Sequence, residues 1–167
     1  MFFIYLQQIQ CSICGRISER NDEFQDINLS VIDNDSVEDS LTAHTQVEQL
    51  TGDNQYFCET CQRKVDALKV TRFEELPPIL TLSLSRFYFD AEIMQSVKLE
   101  KLCSFPFILD MTNFLSQKPK QKLKYELFSV VIHVGGSTGG GHYHAFIKDP
   151  YGTTSTGERD SQSASNF

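Results

Sequence analysis

Two groups of residues in this chain could carry chemistry. The first is a set of four cysteines, Cys11-Ser-Ile-Cys14 and Cys58-Glu-Thr-Cys61, spaced as CxxC…CxxC. Each pair brackets a tight turn, the first closed by Gly15. Two such turns brought together offer four thiolates at the corners of a tetrahedron, the cage that zinc prefers. Four sulfurs leave no open coordination position, so the expected site is structural: one zinc ion contributing on the order of 10–16 kcal/mol to folding at neutral pH. The same donors could hold an iron–sulfur cluster, and two unrelated pairs of buried thiols would give the same spacing; zinc is the preferred reading. The second group is Val134-Gly-Gly-Ser-Thr-Gly-Gly-Gly-His142-Tyr143-His144. It reads as a mobile glycine loop running into a histidine at the head of a strand, a place suited to a general base. Taken alone, a histidine on a strand is more often structural. The loop is not a phosphate cradle, because it lacks the Gly-Lys-Ser/Thr ending and leads into a strand rather than a helix.

The elements that must position these groups follow from periodicity. Residues 1–6 read as a strand entering in mid-domain. Ile27, Leu29 and Val31 alternate with polar residues, predicting a half-buried strand. Ser36-Val-Glu-Asp39 has the form of a helix N-cap box, with Val37 and Leu41 on one face of a short helix. Gly52-Asp-Asn54 signals a turn. Leu76-Pro-Pro78 breaks the chain. Beyond it, residues 80–89 alternate as one long strand, residues 98–102 and 105–109 give shorter extended pieces, and residues 125–134 form a strongly apolar strand. Residues 143–148 are its expected antiparallel partner. Among the other histidines, His44 is expected at the surface of the helix, and His133 and His144 as packing residues or supports for a neighbouring catalytic group. Cys103 is expected as a small buried side chain on an apolar strand. Residues 118–124 read as a solvated basic loop, and residues 151–167 as a disordered tail.

Composition bounds the rest. With 167 residues, 40% hydrophobic and including 13 Phe and 6 Tyr, the chain can bury a proper core. A net charge of -7 argues against nucleic-acid binding and suits a protein partner with a positive face. No apolar run approaches the ~18 residues of a membrane-spanning helix, and the start has neither the basic region nor the cleavage site of a signal peptide. Paired thiols with metal-site spacing point to a reducing, intracellular setting, cytoplasmic or nuclear.

Taken in order, CSICG, GDNQYFCETC, LPPILTLSLSRFYFD, SFPFILD, YELFSVVIH and the glycine loop with GHYHAFIKD resemble the catalytic domain of ubiquitin-specific proteases, papain-like cysteine deubiquitinases. The resemblance covers residues 1 to about 150. It implies an α+β fold: the fingers and palm portion of a papain-like deubiquitinase catalytic domain, mostly antiparallel β with short helices and without the thumb. Residues 1–75 would be mainly fingers tipped by the zinc knuckles, and residues 76–150 mainly palm. Ubiquitin and ubiquitinated proteins become the implied partners, with no nucleic acid and no membrane. His142 becomes the general base for a cysteine nucleophile that attacks the isopeptide carbonyl at the ubiquitin C-terminus. Gly141 and Tyr143 would line the channel for the ubiquitin tail, and residues 135–141 would cover it.

Two features depart from the family pattern. Nothing matches the N-terminal box that carries the nucleophile, and Cys103 lacks its surroundings. The Trp-containing stretch that normally bears the third triad residue is missing as well, and neither Asp149 nor Asp160 supplies it. The chain is therefore expected to be part of a longer deubiquitinase and inactive alone, since removing a triad nucleophile costs about six orders of magnitude in rate. The alternative is a zinc-containing module that binds ubiquitin without cleaving it.

Overall fold

The computed structural model describes residues 3–137 and 140–149, so the expected tail, Asp160 included, lies outside the described residues. Strand β1 (Phe3–Cys11) is the spine of the largest sheet. It pairs antiparallel with β2 (Ile17–Phe24) on one edge and with β7 (Ala67–Glu75) on the other, and β4 (Glu48–Leu50) extends the sheet beyond β7. The β1–β2 turn is the first cysteine knuckle. A second hairpin, β5 (Tyr56–Cys58) with β6 (Arg63–Val65), carries the second knuckle. The long segment between the knuckles folds back as strands and a helix, as its length requires.

The predicted alternation at Ile27, Leu29 and Val31 holds. All three side chains are buried, and β3 (Ile27–Ser30) runs parallel to β8 (Leu82–Ser85). The exposed side of this pair is tied by the Ser83 hydroxyl, which donates to the Asp26 carboxylate at 2.6 Å. Helix α1 (Val37–His44) starts where the cap box places it. The Asp39 N–H donates to Ser36 Oγ at 3.0 Å, and the Ser36 hydroxyl donates to the Asp39 carboxylate at 2.6 Å. Spacing of four residues puts Val37 and Leu41 on one face, and both are buried.

One core runs across the Leu76-Pro77-Pro78 break. Ile27, Leu29, Val37, Leu41 and Phe73 from before it meet Cys103, Leu109 and Met111 from after it. Phe73 is fully buried, covered by the rings of Tyr5 at 5.0 Å and Phe24 at 5.9 Å. Burying a ring of this size is worth about 1.5–3 kcal/mol.

Four expectations need correction. Residues 80–89 are not one strand. Strand β8 ends at Ser85, and β9 (Phe87–Asp90) starts after Arg86 and pairs with β10 (Gln95–Lys98) instead of β3. The Arg86 N–H turns back onto the Leu84 carbonyl at 2.8 Å, and its guanidinium donates to the Lys101 carbonyl at 2.6 Å. Alternation passes through Arg86 unbroken, so periodicity alone could not show the change of partner. Likewise residues 125–134 divide between β12 (Lys124–Glu126), paired with β11 (Ile108–Asp110), and β13 (Ser129–Ser137), paired with β14 (Gly140–Ile147). Cys103 is buried as expected, but it lies in an irregular stretch between β10 and β11. His44 is half-buried rather than on the surface, its ring 5.5 Å from Tyr5 and 6.0 Å from Phe73.

The architecture is thus mostly antiparallel strand, with α1 the one α-helix among the described residues. No helix among them is long and apolar enough to cross a membrane.

Candidate functional site

The four predicted cysteines converge. Cys11 ends β1, Cys14 stands on the turn that follows, Cys58 ends β5, and Cys61 lies on the β5–β6 turn. Their sulfur atoms all lie within 4.8 Å of one another, with Cys14 Sγ to Cys58 Sγ at 3.7 Å and Cys11 Sγ to Cys61 Sγ at 3.9 Å. A tetrahedron with 2.3 Å metal–sulfur arms has edges of about 3.8 Å. Donor set and spacing therefore fit a four-coordinate metal. Local geometry explains why the knuckle holds this shape. The N–H groups of Ile13 and Cys14 both point at Cys11 Sγ, each at 3.4 Å, and Gly15 takes the left-handed angle (φ 71°) that closes the turn. Gln62 plays the same part after the second pair, with φ 54°. Across the knuckles, the Arg16 guanidinium bonds Thr60 Oγ1 at 3.0 Å and the Glu59 carboxylate at 3.1 Å.

The electrostatics agree. The Cys14 N–H, helped by that of Ile13, holds the Cys11 thiol down to about 6, while its bonds to the Cys14 and Cys58 sulfurs push Cys61 up to about 12. A first thiolate forms readily, and the last proton resists removal until a cation takes its place.

Gly141, His142 and Tyr143 are consecutive on β14. His142 pairs with Val134 and Tyr143 with His133, so adjacent residues face opposite sides of the hairpin. The glycine segment is strand rather than free loop over its described length. Gly135 and Gly136 belong to β13, Gly140 and Gly141 to β14, with an irregularity between Val134 and Ser137; residues 138 and 139 lie outside the described residues. Positive φ at Gly135 (143°) and Gly141 (151°) lets the two strands stay paired through it.

The His142 side chain is exposed and makes no hydrogen bond with another described residue, while Tyr143 is 70% exposed. Apolar side chains stand open on both faces of this hairpin: Val131, Tyr143 and Ile147 on one, Val134 and Phe146 on the other. Cys103, the fifth cysteine, is buried in the main core, and its thiol is pushed up by that burial. An open concavity of about 550 Å³ lies elsewhere, between the end of α1 and the large sheet, lined by Tyr5, His44, Glu48 and Lys69. None of its lining residues belongs to the hairpin.

The family model of ubiquitin carboxyl-terminal hydrolase matches residues 1–160. The chain belongs to the ubiquitin carboxyl-terminal hydrolase family. It is 40% identical over 142 residues to ubiquitin carboxyl-terminal hydrolase 26 of Arabidopsis thaliana, covering 83% of this chain and 13% of that protein. With ubiquitin carboxyl-terminal hydrolase 40 of Homo sapiens it shares 40% over 147 residues, 86% of this chain and 12% of the relative. Hydrolase 48 of Gallus gallus is 41% identical over 140 residues, covering 84% and 14%. The chain therefore spans between 12% and 14% of the length of these relatives. Among solved structures it resembles a chain of the SAGA Ubp8/Sgf11/Sus1/Sgf73 DUB module bound to ubiquitin aldehyde, with a TM-score of 0.78 and 30% identity over 89% of this chain and 34% of the other.

Two further residues bear on the stretch of hairpin that holds Gly141, His142 and Tyr143. His133 lies under Gly141, with its ring centroid 4.9 Å from Tyr143 and 5.4 Å from Phe87. Lys98 Nζ donates to the carbonyls of His133 at 3.2 Å and Gly135 at 2.7 Å. The β13–β14 register sets His133 under Gly141, and the approach of β10 to β13 brings in Lys98.

Proposed function

We propose that this chain forms the fingers and the base-bearing palm of a cysteine-type deubiquitinase, one that hydrolyses isopeptide bonds at the C-terminus of ubiquitin. The observation that carries the reading is the exposed His142 on a paired, glycine-edged hairpin, in a chain of this hydrolase family. His142 takes a proton from a cysteine nucleophile, and the resulting thiolate attacks the carbonyl. Gly141 offers backbone without a side chain, and Tyr143 a ring, to the narrow ubiquitin tail. Residues 135–141 act at the rim of that channel. The four cysteines hold one structural zinc ion, which keeps the two knuckles together so that residues 1–75 grip the globular part of ubiquitin while residues 76–150 serve as palm. Its working partners are ubiquitin and ubiquitinated proteins, met in a reducing intracellular compartment, cytoplasmic or nuclear.

Four of the five cysteines are committed to the cluster and the fifth is buried, so the chain by itself is inactive in this reading. A ubiquitin-based electrophilic probe tests it: no covalent adduct forms with the isolated chain, and capture through any of its five cysteines would overturn the assignment. The same cysteine inventory favours a second reading, a zinc-containing module that binds ubiquitin without chemistry. Titration of the chain with ubiquitin then gives saturable binding that a chelator abolishes, and supplying a nucleophile-bearing partner segment restores no cleavage.

A further inference from the structure

The imidazole of His133 occupies the space that any side chain at position 141 would need. A Cβ built on Gly141 would stand 2.3 Å from His133 Nε2, 2.9 Å from its Cε1 and 2.7 Å from the Val134 carbonyl oxygen. A Cβ on Gly135 would meet the Gly140 carbonyl oxygen and the Gly141 Cα at 3.0 Å, with His133 Cε1 at 3.5 Å. Two glycines on opposite strands therefore close around one ring. Phe87 meets that ring edge-on and Tyr143 leans against it. Lys98 clips the same stretch of β13 from the neighbouring strand by bonding the His133 and Gly135 carbonyls. His133 Nδ1 is buried and has no hydrogen-bond partner among the described residues. An unpaired buried nitrogen costs free energy. An apolar ring of similar size would fill the same space without that cost.

We propose that His133 is a positioning residue for the strand that carries His142. Its ring is a spacer between Gly135 and Gly141. It sets how closely β14 approaches β13 just before His142, and so where the His142 backbone lies. Any larger residue at 141 displaces it, which is why the position is glycine apart from the demands of its φ. The proposal rests on His142 as the working histidine for its significance, but not for its test.

The test reads the position of His142 rather than turnover, by NMR of the zinc-loaded 167-residue chain with labelled histidine and glycine. In His133→Ala, the Gly141 amide and the His142 amide and imidazole signals should shift and broaden, while core signals from Ile27 and Leu29 stay in place. His133→Phe keeps a ring of similar reach and should leave the His142 signals close to wild type. Gly141→Ala should disturb the same signals, and less so when combined with His133→Ala, because the double variant removes the ring but not the Val134 carbonyl clash. Unchanged Gly141 and His142 signals in a folded His133→Ala chain would overturn the proposal, as would strict additivity of the two substitutions. A negative result with the ubiquitin probe bears on the proposed function and leaves this outcome untouched.

Discussion

Cys14 Sγ lies 3.7 Å from Cys58 Sγ, although the two residues are 44 positions apart. Nothing in the local chain brings them together. The β1–β7 ladder and the β5–β6 hairpin do so, and a shared cation would hold them there. Replacing Cys58 by Ser removes one corner of the cage. We expect stoichiometric zinc to be lost, along with most of the ~10–16 kcal/mol that such a site contributes at neutral pH. Metal analysis and thermal melts with and without chelator check this. Retention of one zinc per chain in the variant would refute the four-sulfur site.

Acid should weaken the fold through His44. Burial, with Lys69 adding to it, holds the His44 ring below its ordinary 6.5. The folded state thus binds its proton later than the unfolded chain does. Stability is complete above 6.5 and falls as pH drops below it toward the lowered folded value. His44→Phe keeps a ring against Tyr5 and Phe73 and should flatten that fall between about pH 7 and about pH 5. Denaturant melts across that range, at fixed metal content, measure it.

The helix start is separable from the core. Ser36→Ala removes the acceptor for the Asp39 N–H and should cost about 1 kcal/mol without moving the metal site. Urea titration gives the stability change, and zinc content should stay at the wild-type level.

Phe73 is the opposite case. It is fully buried where β7 meets Tyr5, Phe24 and His44. Phe73→Ala should destabilise by about 3–5 kcal/mol, enough to unfold a marginal domain. Phe73→Leu, which leaves a smaller cavity, should retain a cooperative melt, and calorimetry distinguishes the two.

Much of this architecture was legible in the chain. The cap at Ser36, the alternation at Ile27 and Leu29, and the meeting of four cysteines each depend on local chemistry or on a metal's demand, and each appears as read. Two of the misread elements share one cause. At Arg86 the alternation continues, and between Glu126 and Ser129 the apolar run continues, while the strand changes partner; such patterns report burial rather than who lies alongside. His44 looked exposed because its helix is short and polar, yet the ring turns inward between Tyr5 and Phe73. The glycine segment read as a loop because glycine usually marks one, whereas here two left-handed glycines keep the hairpin paired. The sequence marked His133 as a supporting residue, but what its ring meets depends on register across the hairpin.

Cys11 closes β1 opposite Ala67, the first residue of β7. Because side chains alternate along a strand, sliding β1 by a single residue would turn the Cys11 sulfur to the wrong side of the sheet. A misaligned ladder could satisfy most backbone hydrogen bonds and still fail to collect four sulfurs. Metal capture at this end of the strands would therefore act as a proofreading step: it would favour one alignment of two segments more than 50 residues apart over every neighbouring alignment.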